Sequence, residues 1–593
     1  MGAILQPSGV TTFRVWAPFA QTVTVLGDFN AWAEPGLPLA PEGNGNWSAD
    51  IDGAVDRSKY DFKVNGQWRI DPRARAVTNS AGDGIVVASD HAWKNAFTMP
   101  PWNELVIYEM HLGTFPDNAV AAKNLFAAAA ADFGYLRDLG ANAILLLPAQ
   151  EFPTDSSWGY NPAHVFAIES AYGRPADFKE FVDQAHGHGL AVILDVVYNH
   201  LGPNDIPTWQ FDGWFEEWKG DEMGGIYFYN DWRAETPWGH KNRPDYGRPE
   251  VRDFFRANAL MWIEEYRADG LRFDATNYIR NVWGRDEEVN SPANLGGWGW
   301  NLLRWINDEV NDRHPWKITI AEDMQKNPSL TQRTAEGGAG FDSQWDAGFV
   351  HPVREALTAA RDEDRNLWAV KEAIERKYNN AALQRVVYTE SHDEVATANG
   401  KRRLPDAIAP GAADSWHARK RSTLGAALVF TSPGIPMIFQ GQEILEWIPF
   451  GDENRIDWNK YDQFRGIHTL YTDLMHLRRN WFNHTRGLRG ENVRVFQVGA
   501  EGVLAFHRWE NGGAGDDVVV VLNFSARAYP SYRLGFPRRG QWFVRFNSDW
   551  EGYSPDFGNF PGYHTAAEEG PLHDMPCSGN IGIGPYTALI LSQ

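Results

Sequence analysis

Apolar and polar positions alternate with period two at the start of the chain. Thr12–Trp16 (TFRVW) and Thr22–Leu26 (TVTVL) carry the pattern, as half-buried strands do because successive side chains point to opposite faces of a sheet. Turn-forming clusters follow at Gly27–Asn30, Pro35–Pro38 and Gly43–Asn46. Tyr60–Val64 and Trp68–Ile70 flank Asn65-Gly66, a strong two-residue hairpin signal. Residues 1–98 are therefore expected to form a small β-sandwich.

The pattern changes after Pro100-Pro101. Short continuous apolar runs now alternate with helical stretches. Val106–Leu112 (VIYEMHL) precedes an Ala-rich helix reaching about Leu139, and Ala143–Leu147 (AILLL) follows. A helix around Asp177–His188 leads to Ala191–Val197 (AVILDVV), and a helix over Arg252–Arg267 leads to Gly270–Ala275 (GLRFDA). A helix over Asn301–Asn311 leads to Lys317–Ala321 (KITIA); Phe341–Trp345, Arg385–Tyr388 and Pro436–Phe439 complete eight runs. Buried parallel strands in βαβ units read this way. Eight of them over residues 99–488 predict a (β/α)₈ barrel with insertions. An open doubly wound sheet is the alternative; its dinucleotide-binding form has no G-x-G-x-x-G after the first run to support it. Between His200 and Arg252 lies an aperiodic stretch holding Trp209, Trp214, Trp218, Trp232 and Trp238, and long loops in compact domains are usually functional. Alternation returns in Val493–Val498, Val503–His507, Val518–Leu522 and Thr587–Leu591, so residues 489–593 predict a C-terminal all-β domain.

Composition narrows the function. Lys plus Arg is 55 against 77 for Asp plus Glu, a formal charge of −22, which argues against nucleic acid or an anionic membrane as partner. The longest apolar run, Leu424–Phe439, is broken by Pro433, Gly434 and Pro436 and is too short to span a bilayer. The N-terminal MGAILQPSGVTTF lacks the basic and apolar regions of a signal peptide. One cysteine, Cys577, excludes an intrachain disulfide scaffold and Cys-based zinc sites. Together these point to a cytoplasmic location. The chain holds 27 Trp. Most must fill cores and interfaces, but Trp is also a flat platform for sugar rings.

Chemistry concentrates where the predicted strands end, the face on which barrel active sites are built. The third run ends in Asp195, then Asn199 and His200 (DVVYNH). The fourth carries Arg272 and Asp274, and the fifth ends in Glu322 and Asp323 (IAED). The seventh ends in Glu390, His392, Asp393 and Glu394 (ESHDE). A single Asp after a strand is usually a helix N-cap. Four acidic strand ends on one rim are different, because clustered like charges cost energy without a task. Paired carboxylates at such a rim suit glycoside hydrolysis or transfer, one attacking the anomeric carbon and one protonating the leaving oxygen.

The segments DVVYNH, GLRFDA, AED and SHDE resemble, in order, the four signature regions of the α-amylase superfamily (glycoside hydrolase family 13) of retaining α-glucan enzymes. The resemblance covers almost the whole chain, and the N-terminal sandwich resembles that family's glycogen-binding-type module. It implies Asp274 as nucleophile, Glu322 as general acid/base and Asp393 as the third carboxylate, holding the hydroxyls of the sugar at subsite −1. It implies substrate binding for His200 and His392, and for Tyr160 (in SWGYNP) stacking under that sugar, with rim packing as the structural alternative. It implies that Arg272 orients the nucleophile and that Asp195 supports Arg272. Members often bind calcium through the residue matching Asn199, but no D-x-D-x-D loop is present and relatives with this module often lack the ion; neither metal nor cofactor is expected. Expected substrates are glycogen, amylose and maltooligosaccharides. YEMHLGTF, ESHDEV and FNSDWEGYSPDFGNF resemble 1,4-α-glucan branching enzymes, although Ser554 and Pro555 replace that group's Gly-Gly. DVVYNHLGP, LRFDATN and AEDMQKNP resemble maltooligosyltrehalose trehalohydrolases. Branching is the leading expectation and α-1,4 hydrolysis the alternative. A non-catalytic glycan-binding protein is the remote one, since all three carboxylates are kept.

Overall fold

The computed structural model describes every residue except 118, 120, 121, 289 and 290. Eight parallel strands form its centre. They are β1 (Ile107–Met110), β2 (Ala143–Leu146), β3 (Ala191–Val196), β4 (Gly270–Phe273), β5 (Ile318–Ala321), β6 (Ser343–Gln344), β7 (Val386–Val387) and β8 (Ile435–Phe439). Each pairs with its neighbours in sequence, and β8 returns to β1. A parallel bridge from Trp345, just past β6, to Val386 closes the circuit. The sheet is therefore a barrel, and the open alternative is excluded.

Closure divides each strand's residues by parity. Ile107, Leu145, Ile193, Ile320, Val386 and Met437 face inward and pack on one another. Two residues further along β1, β3 and β4, the same inward face carries Glu109, Asp195 and Arg272, all fully buried. Gly270 begins β4 because a Cβ there would lie 2.4 Å from the carbonyl oxygen of Ile318.

The flanking elements follow the sequence pattern with three differences. The Ala-rich stretch forms two helices, Leu125–Ala130 and Phe133–Leu139, because Asp132 (φ −98°, ψ 7°) leaves helical geometry between them. The helix expected over Arg252–Arg267 runs Pro249–Leu260 and then widens into a π-turn over Met261–Glu265. The Trp-rich insertion is packed into the main core rather than left as an open loop: Phe211, Met223, Ile226, Phe228, Tyr229 and Tyr246 are buried. Its hub is the buried Arg243, which donates to the carbonyls of Arg233 (2.9 Å), Glu235 (2.7 Å) and Val282 (3.2 Å).

The N-terminal module pairs two antiparallel sheets around Phe13, Tyr60 and Phe62. Its Asn65-Gly66 hairpin has positive φ at both positions, 51° and 83°, as a type I′ turn requires. Arg69 ties the module to the insertion by donating to the carbonyls of Phe211 (2.8 Å) and Gln210 (3.1 Å). The C-terminal domain is an eight-stranded antiparallel array. Besides the four anticipated runs it contains Tyr529–Phe536, Gly540–Asn547, Thr565–Leu572 and Met575–Ile583. Among the described residues no helix is long and apolar enough to cross a membrane.

The NSD segment of the C-terminal domain anchors that domain to the barrel. Asp549 accepts from Lys420 Nζ (2.7 Å) on helix Trp416–Thr431, and from the amides of Gly558 (3.2 Å) and Phe560 (3.0 Å). Both charged side chains are sealed from solvent. Replacing one partner of a buried pair strands the other charge. Asp549→Ala should therefore lower the unfolding free energy by about 3–5 kcal/mol. The double variant K420M/D549L should recover most of it, as read by chemical denaturation.

Candidate active site

The site is built from below. Arg272 and Asp195 are register partners in the β4/β3 ladder. Arg272 Nη1 donates to Asp195 Oδ2 (2.7 Å) and Asp274 Oδ1 (3.0 Å), and Nη2 lies 3.7 Å from Glu322 Oε2. The guanidinium carbon sits 4.2 Å from the ring centre of Trp345. One buried cation thus gathers three carboxyl groups from β3 and the ends of β4 and β5. The phenol of Tyr160 donates to the same Asp195 oxygen at 2.6 Å.

Asp274 is fixed at both oxygens: Arg272 holds Oδ1 and the Asn199 amide donates to Oδ2 at 2.7 Å. Burial, aided by Asp393, pushes its carboxyl above the usual range, while Arg272 and Asn199 oppose the rise. The next residue, Ala275, adopts a left-handed conformation (φ 41°, ψ 52°), uncommon without glycine. Its N–H donates to Glu322 Oε2 at 2.6 Å. Burial, then the neighbouring Asp274 and Asp393, raise Glu322 to about 8 against the pull of Arg272. Glu322 is thus mostly protonated at neutral pH. Two carboxyls on neighbouring strands, one clamped by a cation and one kept protonated, have the states that an acid–nucleophile pair requires.

Asp393 faces them from the end of β7, with its side chain 44% exposed. His392 Nε2 is 3.7 Å from Asp393 Oδ2, and its ring stacks on Tyr160 at 4.7 Å. His392 Nδ1 lies 2.6 Å from Glu109 Oε1. Burial disfavours the imidazolium, but Asp393 and Glu109 outweigh it and raise His392 to about 9. His200 is the opposite case. Burial lowers it to about 3, so its ring is neutral. It stacks on Trp238 at 4.3 Å and its Nδ1 faces the Asn199 amide oxygen.

Tyr160, His200, Asp274, Glu322, His392 and Asp393 line one cleft of about 610 Å³. Asp195 and Arg272, expected among the substrate-binding residues, lie fully buried beneath its floor and act through Asp274 and Tyr160. Other strand-end acids have structural tasks. Asp323 pairs with Arg280 (2.9 Å) and Glu390 with Arg403 (3.1 Å). Trp238, from the Trp-rich insertion, and Trp158, from SWGYNP, also line the cleft, as does Tyr278, which nothing in the sequence marked.

Asn199 does not fit a calcium ligand. Its amide nitrogen is committed to Asp274 and its oxygen to the His200 ring. Among the described residues the one His/Asp/Glu group compact enough for a metal is His91, Glu180 and Asp183. There the Lys94 ammonium pairs with Glu180, and the amides of Lys94 and Asn95 occupy Asp183.

Comparison with known proteins gives three family matches. Carbohydrate-binding module 48 (isoamylase N-terminal domain) matches residues 1–78, the α-amylase catalytic domain 130–210 and 203–460, and the α-amylase C-terminal all-β domain 496–593. The chain is 33% identical to the 1,4-alpha-glucan branching enzyme GlgB of Nocardia farcinica, over 99% of this chain and 79% of that protein. It is 32% identical to GlgB of Leifsonia xyli subsp. xyli, over 100% and 81%. Among solved structures, a pullulanase from Anoxybacillus sp. LM18-11 complexed with maltotriose aligns with a TM-score of 0.76 at 22% identity, covering 100% of this chain and 85% of that one. A putative alpha amylase from Salmonella typhimurium aligns with a TM-score of 0.74 at 23% identity, covering 100% and 99%. At these identities the two structures speak for the fold.

The protonation states carry a prediction. With Glu322 as the general acid the resemblance implies, kcat/KM on an α-glucan should fall as pH rises through about 8. An alkaline limb in the ordinary glutamate range would show that burial does not keep the acid protonated.

Proposed function

We infer the activity from one premise: the chain belongs to the α-amylase family. It acts as a 1,4-α-glucan branching enzyme by double displacement. Asp274 attacks C1 of an α-1,4-linked glucose while Glu322 gives its proton to the departing O4. The glycosyl–Asp274 ester retains the transferred chain as the rest of the donor leaves. Glu322, now a carboxylate, takes the proton from the 6-hydroxyl of a second chain. That oxygen displaces Asp274 at C1 and forms an α-1,6 bond with net retention. Asp393, with His200 and His392, holds hydroxyls of the ring at the reacting position, and Tyr160 stacks beneath it.

One observation carries the reading. The three carboxyl groups face a single cleft in a chain that matches branching enzymes from end to end. The shape of the surface supports polymeric substrates. The cleft shares Pro203 and His240 with a groove of about 550 Å³ lined by Trp68 and Trp209. On another side it shares Ser157 and Asp452 with a hollow of about 520 Å³. Hollows adjoining the cleft in this way support glycogen, amylose or maltooligosaccharide chains as substrates. A cytoplasmic location agrees with the single cysteine, Cys577, which is buried as a free thiol.

Incubation with amylose tests the reading. Branching raises the α-1,6 anomeric proton signal with nearly constant reducing ends. Rising reducing ends without a new linkage would make the protein a hydrolase. Asp274→Asn should abolish either change while glucan binding persists, and undiminished turnover in that variant would remove Asp274 from its assigned role.

A further inference from the structure

The barrel interior holds one carboxylate that these steps leave without a task. Glu109 lies on β1 two residues beyond Ile107, on the same inward face, and is fully buried. A carboxylate there is costly to desolvate unless it is paired and hydrogen-bonded. Both of its oxygens engage one residue. Oε1 is 2.6 Å from His392 Nδ1, and Oε2 accepts from the His392 backbone amide at 3.2 Å. Side chain and peptide of His392 are thus pinned to β1, with Nε2 directed to the cleft side, where Asp393 Oδ2 is 3.7 Å away.

We propose that Glu109 is a positioning residue that holds His392 as an imidazolium, so that Nε2–H stays a donor to a bound sugar hydroxyl. The role rests on the reading of the cleft as an α-glucan site. A neutral ring donating Nδ1–H to Glu109 would leave Nε2 without a proton, able to accept but not to donate. The state is set by everything that faces the ring. Glu109 on β1 and Asp393 beside it favour the cation. Asp195 at the end of β3 and Asp274 at the end of β4 do the same from further away. Arg272 on β4 opposes it, whereas His111 after β1, which burial lowers to about 4, is neutral and does not. The Tyr160 hydroxyl sits 3.4 Å from Nδ1, and the rings of Trp158 and Trp345 close the remaining sides. Glu109 is the one anion in direct contact with both the ring and the peptide. A glutamine in its place keeps an acceptor for Nδ1–H but removes the charge, which separates an electrostatic role from a spacing role.

Two measurements decide it. In the pH profile of kcat/KM, E109Q should move the alkaline limb to lower pH by about one unit or more, since His392 then deprotonates before Glu322. E109D, which restores the charge, should return the limb toward its wild-type position. A wild-type limb in E109Q, whatever the size of kcat, overturns the proposal, because glutamine then serves as well. Should E109Q fail to fold, the nitrogen chemical shifts of ¹⁵N-histidine-labelled wild-type protein give the answer, with the His392 signal assigned by its absence in H392Q. Imidazolium shifts at neutral pH support the proposal; a neutral tautomer overturns it. The spectrum is independent of turnover. A protein inactive on every α-glucan but with a charged His392 would therefore refute the functional reading, and with it the sugar-binding role, and leave only the charge state set by Glu109 standing.

Discussion

The site depends on one buried guanidinium. Arg272 lies at the top of the barrel interior with no exposure, against Trp345 on one side and the carboxyls of Asp195, Asp274 and Glu322 on the other. Without that cation the barrel would have to desolvate several negative charges at once, which low-dielectric surroundings penalise heavily. Without the carboxylates, the guanidinium itself would be stranded. The aliphatic layer of Ile107, Ile193 and Ile320 beneath it excludes the water that would screen these charges. The charged layer is therefore preorganised, and the groups above it inherit fixed positions.

Two carboxyls that are chemically near-equivalent acquire different states from this arrangement. Asp274 receives a cation and an amide donor, whereas the closest fixed bond to Glu322 is the N–H of Ala275. The same burial therefore leaves one held by a cation and an amide and the other holding its proton. The two histidines diverge for the same kind of reason. His392 has a carboxylate on each side; His200 has an amide oxygen and the Trp238 ring. Local counter-charge, rather than residue type, assigns the roles.

The elements around the barrel shape access. The insertion is a packed unit organised by Arg243, so most of its aromatics are structural, while Trp238 is 46% exposed and enters the cleft. The N-terminal module is tied to that insertion by Arg69, which brings Trp68 to the groove adjoining the cleft. The C-terminal domain is held to the barrel by the Lys420–Asp549 pair, far along the chain from the catalytic strand ends.

Much of this was legible along the chain. Short runs placed all eight barrel strands, although the sixth, Ser343–Gln344, lies in the mixed segment FDSQW; Asn65-Gly66 marked its hairpin, and the acids at the ends of β3, β4, β5 and β7 marked the rim of the cleft, because strand burial and turn geometry are set by neighbours in sequence. Four C-terminal strands were not marked. Segments such as Thr565–Leu572 (TAAEEGPL) and Met575–Ile583 (MPCSGNIGI) lack clean alternation; they pair with each other as a hairpin, and Met575–Ile583 also pairs with Tyr529–Phe536. The sequence also could not sort its acids. Glu390 and Asp323 stand beside the reactive residues, yet each is taken by an arginine. Glu109 reads as an interruption in an apolar run until barrel closure brings it against His392, 283 residues away. Periodicity specifies which way a side chain faces; which charges meet is decided by the closed barrel, because an electrostatic partner is defined by distance in space and by the water removed between the two.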